Sequence, residues 1–269
     1  MKPGEQFEID SHLYLKNKYE TDSVKFIRHD TADSTGSDIE VFVKGKPSFF
    51  IEAKDTSAQS GQFVLLSDDT KKEFVFSPRN KSVQNEMTEI IINYMNSDYD
   101  RFNAAGTSGE ILNINPAIFS NWIIGHYKQK NVKYVISKKS AMIICPIDKF
   151  SEYFEVSATF RIKKSGSSEP SAKYIDAVIE ELNQKYGITN IYKQTINGKK
   201  KLFANASVDL CKVRFSLGKY TYYLSPQELE GNFEIKQLSN TRNKNVIFSI
   251  SIKQEQQPSD LVTFETELQ

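Results

Sequence analysis

Cysteine and histidine are scarce in this sequence. The two cysteines, Cys145 and Cys211, stand far apart, which excludes a disulfide framework and a cysteine-built zinc site. The three histidines, His12, His29 and His126, are too scattered for a histidine-built metal centre. No run approaches the roughly 18 apolar residues that would cross a bilayer, and the opening MKPGEQFEID has no apolar leader. Few thiols and no leader set the expectation of a cytoplasmic chain without a membrane partner. An overall excess of charge is missing too, since the formal net charge is +1. That balance hides an asymmetry: residues 1–160 carry roughly −3, residues 161–250 roughly +7 and residues 251–269 roughly −3. A basic C-terminal third suits local contact with a polyanion, although a solvated face is the commoner reason for such charge.

What is present is enough for one large domain or two modest ones. The chain has 269 residues, 39% hydrophobic and 26% charged, and can bury a core without staples. Apolar spacing predicts a helix over 4–19 carrying Phe7, Leu13, Leu15 and Tyr19, then a strand over 24–28 and a polar loop over 29–38. A β-hairpin follows, with Lys44–Gly45–Lys46 as its turn, and a strand over 72–77. The clearest helix runs over 80–96, where Val83, Met87, Ile90, Ile91, Tyr94 and Met95 form one stripe. A helix over 116–129, strands near 132–137 and 141–146, a short helix near 148–154 and a strand over 155–163 complete this part. KKSGSSEPSAK, residues 163–173, is rich in Ser, Gly and Pro and lacks apolar residues, so it marks a boundary. The expected organisation is an N-terminal domain over 1–163, a linker near 164–173 and a β-rich region over 174–255, opened by a helix over 171–185. The polar stretch QEQQPSD beyond it is expected to be mobile.

The chemistry concentrates in SFFIEAKDTSAQSG, residues 48–61. Phe49, Phe50 and Ile51 open a buried strand, and Glu52 and Lys54 sit at its end. Strand side chains alternate, so Glu52 and Lys54 share a face with Phe50, while Ile51 and Ala53 face the other way. Asp38 begins the partner strand. An odd number of residues in the connection sets Asp38 opposite Glu52, and an even number turns it away. Opposed side chains lie about 4.5–5.5 Å apart at Cβ, close enough for two carboxylates to share a divalent ion. Without a cation the two acids repel and one must stay protonated. Paired acids, a hard cation and an amine suit phosphodiester hydrolysis.

Asp38, followed after an interval by Glu52–Ala53–Lys54, resembles the signature of the PD-(D/E)XK nucleases, the restriction-endonuclease-like superfamily. Ser37 stands where the motif's proline would be, a position that varies in that family. GEQFE resembles the G-x-x-F-E form of archaeal Holliday-junction resolvases, which assigns Glu8 a place near the metal. A glutamine on the helix after the E-x-K strand is a further family feature, and Gln59 or Gln62 fills that role. The block from Trp122 to Lys163 is similar to part of some type II restriction enzymes. The resemblance implies an α/β fold: a restriction-endonuclease-like mixed β-sheet flanked by helices, with a β-rich C-terminal region. It implies Asp38, Glu52, Lys54, Glu8 and Gln62 in catalysis, and a metal at Asp38, Glu52 and Ala53. The metal would be Mg²⁺, with Mn²⁺ as a substitute and Ca²⁺ binding without rapid turnover.

The implied activity is endonucleolytic cleavage of double-stranded DNA by a site-specific type II restriction enzyme. The alternatives are a structure-selective repair or junction nuclease, and a non-catalytic DNA-binding module of the same fold. A homodimer would suit a palindromic site, and a DNA methyltransferase acting separately on that site is the expected companion. Lys199, Lys200, Lys201, Lys212, Arg214 and Lys219, interleaved with aromatics, are the candidates for DNA contact.

Overall fold

The computed structural model describes residues 3–29, 37–163, 166–196, 198–207, 210–211, 213–227, 229–239 and 241–269. Strands β1–β16 and helices α1–α7 are numbered along the chain. The chain divides into two compact units, Met1–Ile162 with Lys244–Gln269, and Lys163–Asn243. Residues 244–255, expected in the C-terminal region, therefore belong to the first unit.

The first unit contains two sheets. One has the order β1 (Val24–Arg28), β2 (Ile39–Val43), β3 (Phe49–Ala53), β7 (Val132–Lys138), β8 (Met142–Pro146). Its β3–β7 pair is parallel and its other pairs are antiparallel. Period-2 alternation turns Val24, Phe26, Ile39, Val41, Phe49, Ile51 and Ala53 to one face. There they pack with Phe7 and Leu15 of α1 (Pro3–Tyr19) and Phe264 of α7 (Pro258–Glu267). Buried Ser11 completes the inward row of α1, whereas Leu13, expected in that row, is 48% exposed. On the opposite face Val135, Ile143 and Cys145 join a larger core with Trp122, Ile123 and Tyr127 of α4 (Pro116–Gln129) and Phe150 and Tyr153 of α5 (Phe150–Tyr153). Toward β1 and β2 that face is more open, leaving Ile27 and Phe42 exposed.

The other sheet has the order β5 (Glu73–Phe76), β4 (Ser57–Asp68), β16 (Asn243–Ile252), β9 (Phe154–Lys163), β6 (Glu110–Ile111). Its long strand β4 is not foreseen from its Ser- and Gln-rich sequence. It is held by antiparallel pairing with β16 and β5 and by Phe63 and Leu65 in the core. Helix α2 (Glu86–Asn96) starts later than the expected residue 80. Asn85 accepts the Thr88 N–H and its own N–H meets the Thr88 hydroxyl, a reciprocal cap that fixes the start. Val83, ahead of that cap, is exposed. A short helix, α3 (Tyr99–Asn103), follows.

Side-chain amides close two of the outer strands. Asn96 pairs with both N–H and C=O of Phe74 on β5, and Gln256 does the same for Ile144 on β8. Such pairing leaves less of each edge for another chain to join. The stretch 254–260, expected to be mobile, runs instead into α7, which begins at Pro258. Asp260 there is buried, accepting from Lys149 at 2.5 Å and Tyr153 at 2.7 Å.

The second unit is a sheet ordered β11 (Asn190–Ile196), β12 (Lys199–Asn205), β15 (Asn232–Leu238), β14 (Tyr220–Pro226), β13 (Arg214–Leu217), with β10 (Ser167–Ser168) also on β15. Val178 and Leu182 of α6 (Ile175–Tyr186) cover one face, on Leu202, Ala204, Tyr222, Leu224 and Ile235. The fold is α/β, a mixed sheet flanked by helices followed by a β-rich region. No described helix is long and apolar enough to cross a membrane.

Candidate active site

The β2–β3 register pairs Ile39 with Ile51, Glu40 with Phe50 and Val41 with Phe49. Continued by one residue, it sets Asp38 opposite Glu52, the arrangement an odd connection requires. Asp38 Oδ2 accepts the Ala53 N–H at 2.8 Å, which ties the start of β2 to the end of β3. Lys54 Nζ donates to Glu52 Oε1 at 2.7 Å and lies 3.8 Å from Asp38 Oδ2. The Lys54 backbone N–H reaches Ile136 O at 2.9 Å, anchoring this end of the chain on β7. Thus β2, β3 and β7 place two carboxylates and one amine at a strand end, with all three side chains mostly buried.

Burial pushes the Asp38 carboxyl up to about 7, and the Glu52 charge adds to the effect. Lys54 and the Ala53 N–H oppose the shift, while the charge of Glu8 from α1 reinforces it. Burial alone would lower the Lys54 pKa, but Glu52, then Tyr127 and Asp38, outweigh it and raise the amine well above its ordinary value. The pair of acids is therefore short of positive charge even beside Lys54. Glu52 Oε2 is buried with no hydrogen-bond partner. An orphaned buried carboxylate oxygen next to a second carboxylate fits a divalent cation. Among the described residues no three His, Cys, Asp or Glu side chains gather into a metal cluster. A site with two carboxylates suits Mg²⁺, which is commonly held by one or two acids plus waters and substrate phosphate.

Glu8 is half-buried on α1. Gln59 and Gln62 lie on strand β4, not on a helix as expected, and both are exposed. Opposite them β16 advances from Ile247 to Ser249 while β4 advances from Gln62 to Gln59, so β4 bulges between them. Gly61 adopts φ +131°, and a Cβ there would lie 2.7 Å from Trp122. The bulge brings the two glutamines within reach of each other, and Gln59 Nε2 donates to Gln62 Oε1 at 3.2 Å.

Sequence reasoning missed several neighbours. Ser60, in the bulge, shares a 2.8 Å hydrogen bond with the Tyr127 hydroxyl, and both residues are buried. Burial, reinforced by Lys130, pulls His126 down to about 4; it is stacked on Trp122 and feels the charges of Glu52 and Lys54. His29 N–H donates to Asp38 O at 3.0 Å, and its imidazole pairs with Glu40 at 2.9 Å. No spacing in the sequence points to these contacts, because each joins separate elements. Beside Gln59 opens a cleft of about 940 Å³, lined by Ser57, Ser120, Ser157, Ser249, Ser251 and Lys253 among others.

The described basic candidates of the second unit are spread over β12, β13 and the β13–β14 turn. Lys212 lies outside the described residues, as does the Lys199 side chain. Lys200 is exposed on the side of β12 that alternates with Lys201, and Lys219 sits over the Tyr220 ring near the β13–β14 turn. Lys201 pairs with buried Glu234. Arg214 is exposed and lies beside Tyr223, which lies beside Lys236.

No family model matches the sequence, and no curated protein does. Among solved structures the chain is similar to HhaI endonuclease in complex with DNA, with a TM-score of 0.82 and 34% sequence identity over 98% of both chains. The match spans both units, and the chain belongs to the restriction-endonuclease family that includes HhaI endonuclease, with the restriction-endonuclease-like fold.

Proposed function

We propose that this chain is a Mg²⁺-dependent endonuclease that cuts double-stranded DNA at a specific sequence, as a type II restriction enzyme. The observation that carries the reading is the meeting of Asp38, Glu52 and Lys54 at the end of β3, with Glu52 Oε2 buried and unpartnered. Asp38, Glu52 and the backbone at Ala53 would hold the ion, with Mn²⁺ as a working substitute. When bound, the ion supplies Lewis acidity, polarising a phosphoryl oxygen and lowering the pKa of a bound water.

The chain's own groups do the rest. Asp38 is oriented by the Ala53 N–H, so its second oxygen is presented rather than free to swing. Lys54 keeps its proton across the neutral range, because the surrounding acids raise its pKa. From Nζ it donates to the attacking water or to a phosphoryl oxygen, opposing the negative charge that builds at phosphorus. The mostly buried setting strengthens each of these interactions relative to water. Glu8 adds negative potential from α1. Gln59 and Gln62 offer donors and acceptors to base edges.

The similarity to a restriction endonuclease over both units favours this reading over a compact junction nuclease. The described residues of one chain carry one such cluster, and a duplex has two strands. Sedimentation of the chain on its duplex distinguishes the homodimer expected from sequence from a chain that cuts the strands in turn. A methyltransferase protecting the same site would be a separate protein. The deciding experiment is digestion of plasmid and branched DNA with Mg²⁺. Discrete plasmid fragments support the restriction reading, cleavage of branched DNA alone supports a junction nuclease, and binding without cleavage supports a non-catalytic module.

A further inference from the structure

The geometry points to a phosphate clamp in the second unit, formed by Lys201 and Lys236 over Glu234 and continued by Arg214. Glu234 lies on β15 and is only 4% exposed. Its two oxygens are taken by different lysines: Lys201 of β12 at 3.1 Å from Oε1, and Lys236 of β15 at 3.1 Å from Oε2. Both ammonium groups are thereby drawn to one point, although like charges on neighbouring strands would otherwise spread apart.

Alternation explains the placement. Leu202 and Ala204 of β12, and Phe233 and Ile235 of β15, face the core under α6. Lys201, Glu234 and Lys236 therefore stand on the opposite face. Phe203, opposite Glu234, stacks with Tyr192 at 5.6 Å and helps to shield the carboxylate. In the next strands Tyr223 pairs with Lys236, and Arg214 with Tyr223. The row Lys236, Tyr223, Arg214 thus crosses three strands at about 4.7–4.9 Å per step.

A buried carboxylate is a costly way to stabilise a sheet, and apolar residues of similar size serve at least as well. What the arrangement achieves is order. The two lysines are pre-positioned, and an ammonium has three N–H donors, more than one carboxylate oxygen uses. The cluster is net positive, partly exposed and flanked by a tyrosine and an exposed arginine. Those are the features of a site for a backbone phosphodiester rather than for a base edge. Lys201 and Lys236 hold one phosphate between them, and Glu234 is a positioning residue. This inference rests on the proposed action on DNA and identifies where the second unit grips the backbone.

The test is a set of binding isotherms in Ca²⁺ across a salt series, on cognate and unrelated duplexes. The variant K201Q/E234Q/K236Q removes the clamp without leaving a buried carboxylate unpaired. One shared phosphate predicts weaker binding to both duplexes and a log–log salt slope reduced by about 0.9. An unchanged slope overturns the clamp, and a loss near two contacts overturns the sharing. If the triple variant does not fold, Lys236→Gln leaves Lys201 on Glu234 and should weaken both duplexes by the same factor; unchanged affinity overturns the proposal. These variants keep Asp38, Glu52 and Lys54, so Mg²⁺-supported cleavage at low salt is a separate readout. Cleavage with an unchanged salt slope contradicts the clamp alone, whereas no cleavage by the unmodified chain contradicts the nuclease reading.

Discussion

Lys54 and Glu52 form an unequal pair: the ammonium lies 2.7 Å from Oε1, while Oε2 of the same carboxylate is buried without any partner. One amine therefore satisfies half of one acid and stands 3.8 Å from the other, Asp38. The shortfall of positive charge is what a divalent ion would correct. Calorimetric titration with Mn²⁺ should show binding to the unmodified chain. Asp38→Asn and Glu52→Gln should each lose at least tenfold in affinity, about 1.4 kcal/mol. Lys54→Met should bind the ion at least as tightly, because it removes a competing cation, yet should not cleave. Equal affinity in all four proteins would place the ion elsewhere.

The Asp38 shift also makes the metal-free protein sensitive to pH. Its carboxyl is pushed to about 7 when folded, against about 3.9 in an unfolded chain. Between these values the folded state binds the extra proton, so stability falls as pH rises from about 4 to about 7. In EDTA the melting temperature of the unmodified chain should fall across this window more steeply than that of Asp38→Asn. Adding Mg²⁺ at pH 8 should raise it in the unmodified chain and much less in the variant, since a ligand of the folded state stabilises that state. Parallel pH profiles in EDTA would show that Asp38 is not strained by burial and by Glu52.

Asp260 shows the opposite linkage. Burial disfavours its charge, but Lys149 and Tyr153 outweigh that and hold its pKa below the ordinary carboxylate value. This contribution is present above about pH 3.9 and is lost as the pH falls below it. Asp260→Asn should cost about 1.5–3 kcal/mol at pH 7, the range for hydrogen bonds to a charged group. The loss should shrink toward pH 3, and denaturant melts at the two pH values measure it. An equal cost at both would mean that the anchor of α7 does not depend on the Asp260 charge.

The hairpin was legible in the sequence because its signals are local: an apolar run, a glycine turn and strand alternation place Glu52 and Lys54 on one face. The side on which Asp38 falls was left open, and the register settled it. Strand β4 was not legible, since Ser57, Gln59, Ser60 and Gly61 have little strand propensity and are held by pairing with β16, far away in sequence. That pairing places Gln59 and Gln62 on a strand where a helix was expected. Helix α7 hides behind a polar stretch, and its order comes from the packing of Phe264 against β7 and α1 residues and from the buried Asp260 anchor. Tyr127, His126 and His29 approach the acids through tertiary packing, which spacing along the chain cannot report. In the second unit the positive excess was visible. Glu234, which organises two of the lysines, was not, because a lone acid in a strand has no signature.

The most direct test is single-turnover cleavage of a plasmid by the unmodified chain and by Glu52→Gln, each in Mg²⁺ and in EDTA. Discrete fragments are expected from the unmodified chain in Mg²⁺ and none in EDTA. The Glu52→Gln variant should fold and still bind DNA in Ca²⁺ but cleave slower by about 10²–10³-fold or more, as expected when charge stabilisation at the reacting centre is lost. Cleavage by Glu52→Gln at the unmodified rate, or undiminished cleavage in EDTA, would rule out a metal-dependent site at Glu52.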